Sequence, residues 1–442
     1  MTKRTAAALL RVLYLAGMCG LSSAAFAADE PAEPSLAPPE EKEAGTEPDS
    51  GFSLGRLGIT GSLRAAYWSS NRRQDSDEDI GVVSSWLKLD KRLESGIGLF
   101  AEGYLANEDA FGKQRDVSWL REAYFEGRMG KFDYRLGKQI IAWGRTDRLN
   151  PTDNLTPRDF SLLAADIDED RFGSVAAKGL WSFDSYTSFS AAWIPEFRPN
   201  KIALPSRPGI AFEERVPDGR RQWAVKLDQS GKAIDWSVSW FDGFDLSADL
   251  SPGVTPGVIL LDHHRTRVLG ADAATTRGSW RFAVEGAYVR TEDPDGIDPG
   301  IKNPFFYGVF GIERSFTDNL TTIVQVYGRK VSHYSNPEDI VAPAARAIAI
   351  EQAIANNQYD REQYGASARI AKKWFNETLE GELAGSILLN RDGYSLRPRA
   401  TYIWSDSIKV LGGYEWYKGS DKTSFGRLEK NKTLFAEVRY FF

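Results

Sequence analysis

The chain closes on Thr433-Leu-Phe-Ala-Glu-Val-Arg-Tyr-Phe-Phe442, and the reading of that stretch decides the fold. Leu434, Ala436, Val438, Tyr440 and Phe442 fall at even positions, with Thr433, Glu437 and Arg439 between them. Successive strand side chains point to opposite faces, so this is a strand with an apolar and a charged side. A soluble sandwich rarely leaves an aromatic strand end uncovered. In an outer-membrane barrel the apolar side meets lipid, the charged side lines the lumen, and aromatic residues form girdles at the interfaces. Phe442 is therefore the expected barrel-closing residue, and it resembles the terminal signal read by barrel-assembly machinery.

The same alternation recurs upstream. Lys131, Asp133, Arg135 and Gln139 alternate with Phe132, Tyr134, Leu136 and Ile140, and Arg281 and Glu285 with Trp280, Phe282, Val284 and Tyr288. Glu380, Glu382 and Ser386 oppose Leu379, Leu383, Ile387 and Leu389, while Arg397, Arg399 and Thr401 oppose Leu396, Ala400, Tyr402 and Trp404. Such segments begin near residues 57, 82, 97, 118, 131, 174, 186, 221, 233, 264, 280, 304, 319, 364, 378, 394, 407 and 433. That is about eighteen strands, with sixteen as the alternative, in an all-β transmembrane antiparallel barrel. Every second connection is tight: Glu94-Ser-Gly, Met129-Gly-Lys, Phe183-Asp-Ser, Ser230-Gly-Lys, Arg277-Gly-Ser, Thr317-Asp-Asn, Phe375-Asn-Glu and Ser405-Asp-Ser. The others are mostly long, at 70–80, 107–117, 144–173, 196–220, 246–263, 292–303, 331–363 and 419–431, with a short Arg391-Asp-Gly among them. Short periplasmic turns alternating with long extracellular loops are the habit of these barrels.

The other end of the chain sets the compartment. Lys3, Arg4 and Arg11 precede an apolar run that ends in Ala25-Phe26-Ala27, which reads as a secretory signal over 1–27. The single cysteine, Cys19, lies within it, so no disulfide or Cys metal site is expected in the exported chain. Residues 28–50 carry eight acids against one lysine and are rich in Pro and Glu, the composition of a disordered tail. With the leader's three positive charges and the tail's seven net negative ones set aside, the total of −6 leaves residues 51–442 near −2. A nearly neutral body lacks the basic footprint that nucleic acid demands. Mean hydropathy is −0.39, and no apolar run approaches the ~20 residues a spanning helix needs.

The predicted inner wall is charged and mixed. Glu102, Glu122, Glu126, Asp133, Glu285, Glu313, Glu380 and Glu382 are expected to point inward. So are Arg64, Arg135, Arg281, Arg369, Lys373, Arg397 and Arg399. Each is explained individually by interstrand ion pairing; together they imply a polar passage. Between two predicted strands lies AWGRTDRLNPTDNLTPRDFSLL, Ala142 to Leu163. Asn150-Pro151 and Thr156-Pro157 read as turn and helix-start signals, with Asn and Thr as caps. One reading is a loop packed on itself through pairs such as Arg145–Asp147. The sharper one folds loop 144–173 inward as a pore constriction, with Arg145, Asp147, Arg148, Asp153, Arg158 and Asp159 forming a polar eyelet.

Other candidates carry less chemistry. The Ala-rich stretch 341–356 has helical spacing and should be a short helix, capping the outer mouth rather than plugging the pore. Asp166, Asp168, Glu169 and Asp170 offer oxygen ligands that suit Ca²⁺, but at no defined spacing and beside Arg171, so no metal is assigned. His263, His264 and His333 are the only histidines, and no Gly-x-Ser-x-Gly elbow accompanies them. A membrane-embedded hydrolase is accordingly the least favoured reading, and no cofactor is expected.

Three stretches carry a resemblance: Leu120-Arg-Glu-Ala-Tyr-Phe125, Arg135-Leu-Gly-Lys-Gln-Ile-Ile-Ala-Trp-Gly-Arg-Thr-Asp147, and Leu149-Asn-Pro-Thr-Asp153 followed by Arg158. With Trp193-Ile-Pro-Glu-Phe-Arg-Pro-Asn-Lys-Ile-Ala-Leu-Pro205, they resemble an outer-membrane β-barrel family of Gram-negative bacteria known as a domain of unknown function, 1302-type. The resemblance implies an outer-membrane barrel, with transport of lipid or hydrophobic compounds suggested for relatives. This chain is shorter between Asp147 and Asn150 than longer relatives. Gly137-Lys-Gln ahead of a long acidic loop is also similar to the alginate-export porin. Two functions follow: a channel for a polar or anionic organic solute, or an export component for polysaccharide or lipid that docks a periplasmic partner through the acidic tail.

Overall fold

The computed structural model describes residues 54–70, 78–112, 115–204, 208–217, 219 and 221–442. The leader 1–27, the acidic tail 28–50, and parts of the loops at 70–80, 107–117 and 196–220 lie outside the described residues. The first strands are β1 (Ile59–Trp68), β2 (Ile80–Arg92), β3 (Gly98–Asn107), β4 (Asp116–Met129), β5 (Phe132–Gln139), β6 (Ser174–Ser182) and β7 (Thr187–Ile194). After β8 (Ala211–Arg215) come β9 (Gln222–Gln229), β10 (Asp235–Phe244), β11 (Asp249–Pro252), β12 (Val258–Asp262), β13 (Arg265–Arg277) and β14 (Trp280–Arg290). The remainder are β15 (Phe305–Ser315), β16 (Leu320–Val331), β17 (Glu362–Trp374), β18 (Leu379–Leu388), β19 (Gly393–Ser405), β20 (Ile408–Gly419) and β21 (Thr433–Phe441).

All but β8, β11 and β12 belong to one 18-stranded sheet in which each strand pairs antiparallel with its neighbours. It closes because β1 pairs with both β2 and β21. At the seam, Gly61 N donates to the Phe442 carbonyl (2.9 Å) and Phe442 N returns a bond to Gly61 O (3.0 Å). Closure leaves the barrel without an unpaired strand edge, which hydrocarbon would punish.

The alternation has the expected sense. Along β21, Thr433, Phe435, Glu437 and Arg439 are buried, whereas Leu434, Val438 and Tyr440 stand exposed and face outer-membrane lipid. Trp181, Trp280, Trp374 and Trp404 stand exposed beside the tight turns, and Trp193, Trp223, Tyr288 and Phe306 near the long-loop end, as two girdles require. Every predicted strand start falls within two residues of an observed one.

Two loop expectations are corrected. Segments 196–220 and 246–263 are not plain loops: β11 pairs antiparallel and β8 parallel with β12 in a small outer sheet. The apolar run Val258-Ile-Leu-Leu261 lies on this sheet rather than on the barrel wall. The predicted helix runs Pro343–Ala355 and packs Ile348 and Ala355 on Leu250, Ile259 and Leu261 of that sheet, which makes it a cap component.

A third departure lies in β4. The ladder slips at Glu102/Gly103, where both Arg121 and Glu122 stand against Glu102. This bulge turns two consecutive side chains toward the lumen, whereas strict alternation would have put Arg121 in lipid.

Candidate functional site

The connection between β5 and β6 leaves the wall because its backbone finds other partners. Glu122 Oε1 accepts from Ile140 N (2.7 Å), and the Thr156 hydroxyl accepts from Ile141 N and donates to Ile141 O (2.8 Å each). Thr156-Pro157 thus starts no helix, contrary to the sequence expectation, because its hydroxyl is occupied with Ile141. The loop's helical turn is a 3-10 turn at Ile167–Asp170. Asn150-Pro151 makes a tight turn closed by Asp153 N on Asn150 O (3.1 Å).

Buried Glu285 of β14 holds the first arm. Its Oε1 accepts from the Thr152 amide and hydroxyl (2.8 Å each), and its Oε2 from Arg145 N (3.0 Å) and Thr146 N (3.3 Å). The Thr146 hydroxyl lies 2.9 Å from the same Oε2 and 2.6 Å from the Leu149 carbonyl. Gly144 explains the Trp-Gly of the motif: its φ is +114°, and a Cβ there would sit 2.6 Å from Glu285 Oε2 and from Asn150 Nδ2. Only glycine admits both the backbone and the carboxylate.

Beyond this clasp, charges on the loop meet charges on the wall. Arg145 pairs with Asp228 of β9 (2.7 Å) and with Asp272 of β13, and Arg281 Nη2 donates to the Arg145 carbonyl (2.6 Å). The expected Arg145–Asp147 pair is not made. Asp147 reaches Arg369 of β17 (3.3 Å), and Arg148 reaches Glu382 of β18 (3.6 Å). Arg148 adopts φ +65°, unusual for a residue with a Cβ, at the point where the chain turns back. Counting round the ring, β17 is the ninth strand from β5, half of the eighteen. The arm therefore touches the wall opposite its own root.

The returning arm is held by other strands. Arg121 of β4 donates to the Asp168 carbonyl (2.8 Å) and the Arg171 carbonyl (2.9 Å), and Arg397 of β19 to the Ala165 carbonyl (2.6 Å). Asp166 pairs with Arg399 of β19 (2.5 Å) and Arg439 of β21 (2.7 Å). Burial opposes its negative charge, but Arg439 and Arg399 outweigh burial and hold its pKa down at about 2. Glu169 bridges Arg64 of β1 (2.7 Å) and Arg439 of β21 (3.0 Å), across the closing seam. Arg158 and Arg171 pair within the loop, with Asp170 (2.9 Å) and Asp153 (2.8 Å), and Asp159 pairs with Lys201 (2.7 Å). Of the four acids that offered oxygen ligands for Ca²⁺, three face arginines instead: Asp166, Glu169 and Asp170.

Some predicted wall residues stay on the wall. Glu126 pairs with Arg135 (2.8 Å), Asp133 with Arg128, and Arg281 with Glu313 (3.7 Å). Arg121 links to Glu102 (3.1 Å), Arg397 to Glu415 (3.3 Å) and Arg399 to Glu380 (3.9 Å). Lys373 sits half-exposed at the turn end with Glu377 (3.0 Å).

The lumen is also greasier than its charges suggest. Leu149 clusters with Val309, Tyr327, Ala384 and Leu388 of β15, β16 and β18, while Ile141, Trp143 and Leu155 join Ala176, Ile194 and Ala224 of β6, β7 and β9, next to the loop's root. Each such fully buried side chain is worth about 1.5–3 kcal/mol. Among the residues that sequence reasoning missed are Arg121 and Leu149, and the partners Asp228, Asp272 and Arg439. A cation at an apparently lipid-facing position was the available sign of the bulge at Arg121.

A closed 18-stranded barrel with an apolar outer face and a charged inner one defines an outer-membrane β-barrel of a Gram-negative bacterium, porin-like in fold. Within that class, the chain belongs to the family described as Protein of unknown function (DUF1302), whose model matches residues 48–442. Among solved structures it is similar to the outer membrane protein opdK from Pseudomonas aeruginosa, at TM-score 0.54 and 10% identity over 87% of this chain and 98% of that one. A Salmonella typhi OmpF structure in complex with daunomycin aligns at TM-score 0.44 and 10% identity, covering 87% of this chain and 97% of that one. No curated protein matches the chain.

Proposed function

We propose that the protein is a channel for a polar or anionic organic solute, with loop 144–173 as its constriction. One observation carries this reading: the loop is rooted between β5 and β6 and ion-paired to β17 and β18, half the ring away. A solute crossing such a barrel must pass beside that bar. Arg145, Asp147, Arg148, Asp153, Arg158 and Asp159 give it a fixed pattern of charge, and their partners hold that pattern in place. Arg148 carries its charge in a buried position, and burial lowers its pKa.

The test is single-channel recording in planar bilayers of the full chain and of a chain with residues 146–170 replaced by a short Gly-Ser linker. The expected result is a larger and less ion-selective conductance in the replaced chain. If neither protein shows an open state, the channel reading is wrong. If both show the same conductance, the loop is not the constriction.

A further inference from the structure

A cavity of about 200 Å³ lies on the outer side of loop 144–173, between it, the β10, β15 and β16 walls and the end of the helix Pro343–Ala355. Its lining includes three cations, Arg158, Lys302 and Arg329, and two carboxylates, Asp153 and Asp245. Four of these five are matched: Arg158 with Asp170 (2.9 Å) and Asp153 (3.7 Å), and Lys302 with Asp245 (2.9 Å). Arg329 is different. Its Nη1 donates to the Asn356 carbonyl (2.6 Å), and among the described residues no carboxylate reaches it at ion-pair distance, Asp245 acting on it only from farther off. Its guanidinium lies over two rings of the lining, 4.4 Å from the Phe305 centroid and 5.1 Å from that of Tyr307.

An arginine held against aromatic faces keeps its planar fork ordered while the rings supply an apolar wall. That combination suits a ligand with a flat apolar body and a single carboxylate, which accepts guanidinium hydrogen bonds. Size agrees: a dry cavity of about 150 Å³ admits benzene, so 200 Å³ holds one ring with a carboxylate attached. A dianion or a sugar chain would exceed either the one unmatched charge or the volume.

We infer that this cavity is a binding site for small one-ring organic carboxylates, with Arg329 as the carboxylate-binding residue and Phe305 and Tyr307 as ring walls. It rests on the channel reading for its purpose, as the station a solute occupies before passing loop 144–173.

The test is calorimetric titration of the detergent-solubilised full chain with benzoate, benzyl alcohol and benzylamine, alongside conductance in potassium chloride. Benzoate should bind, and the alcohol and amine should bind at least tenfold more weakly. Arg329→Gln should lose about ten- to hundredfold in benzoate affinity, the worth of charge-assisted hydrogen bonds, and Arg329→Lys should recover part of it. Equal binding of benzoate and benzyl alcohol to the unaltered chain overturns the site whether or not the variants fold. So does unchanged benzoate affinity in a folded Arg329→Gln barrel, or no benzoate binding at about 10 mM, an affinity too weak to station a solute. Benzoate binding without any potassium chloride conductance would leave the site standing and remove the channel; conductance without binding would do the reverse.

Discussion

Replacing Glu285 by Gln should unfasten the loop while leaving the barrel closed. One carboxylate receives the Arg145, Thr146 and Thr152 amides and the Thr152 hydroxyl, with the Thr146 hydroxyl also in reach. In Gln, one oxygen becomes an NH₂ that must face amide donors in either orientation. Two charge-assisted bonds at about 1.5–3 kcal/mol each are then lost or inverted. The threonine hydroxyls can turn round and accept, so the net cost is nearer 3 kcal/mol than 6. At about 1.4 kcal/mol per decade, that shifts the seated-to-released equilibrium of residues 144–152 by roughly a hundredfold. The ladder of β14 with β13 and β15 is backbone and is unaffected. Hydrogen exchange at the Thr146 and Thr152 amides should accelerate by about that factor, and single-channel currents should become larger and noisier. Unchanged exchange and unchanged current in a folded barrel would refute the clasp, and unchanged current with faster exchange would show that the arm does not obstruct the passage.

Gly144→Ala must bear φ +114° and a Cβ 2.6 Å from Glu285 Oε2, so it should cost the loop about 1–3 kcal/mol; protease cutting within 144–173 should become faster, and an unchanged cleavage rate would count against the close approach. The outer cap should loosen on the alkaline side. Burial opposes a charge on His264, but the Asp249 carboxylate 2.9 Å away outweighs it and raises the His264 pKa above its ordinary 6.5. Asp249 is itself held below 3.8, because Lys302 and His264 overcome the effect of burial. The histidine's contribution is therefore complete below pH 6.5 and fades as pH rises through its elevated value; the aspartate's is complete above 3.8 and fades in stronger acid. Hydrogen-exchange protection across Pro343–Ala355, taken relative to the intrinsic rate at each pH, should be greater at pH 5.5 than at pH 8.5, and His264→Gln should erase that difference; an equal difference in that variant would exclude His264 as the cause. Removing Phe442 deletes both backbone bonds to Gly61, and the fraction of protein running as folded barrel in unheated gels should fall; an undiminished fraction would mean the seam does not depend on its last residue.

Most of the barrel was legible because lipid and water sort side chains every second residue, and a charge such as Glu382 or Arg397 leaves little doubt about its face. The turns were legible for a related reason: Arg277-Gly-Ser and Thr317-Asp-Asn interrupt that alternation sharply. The outer sheet escaped because Val258–Asp262 does not alternate and Ala211–Arg215 is too short to establish a period. Arg121 escaped because a bulge shifts the period by one, and the shift is invisible until both flanking strands are paired. Within loop 144–173 the residue types announced a polar element. The partners did not follow, since Glu285 lies 133 residues from Thr152 and Asp147 lies 222 from Arg369. Local caps and neighbours such as Asp147 were the only partners a linear reading could offer Arg145.

Glu169 has a consequence for how the molecule is made. Its carboxylate spans Arg64 on the first strand and Arg439 on the last, and Asp166 beside it also needs Arg439. The returning arm of the loop cannot complete these bonds until the final strand has arrived, some 270 residues after the loop itself was synthesised. The first arm, held by Glu285, Arg369 and Glu382, has its partners before then, so the returning arm is the part of the loop whose seating waits on closure. The Glu169 carboxylate then ties the first strand to the last from inside the barrel, an ionic latch on the seam added to its backbone ladder.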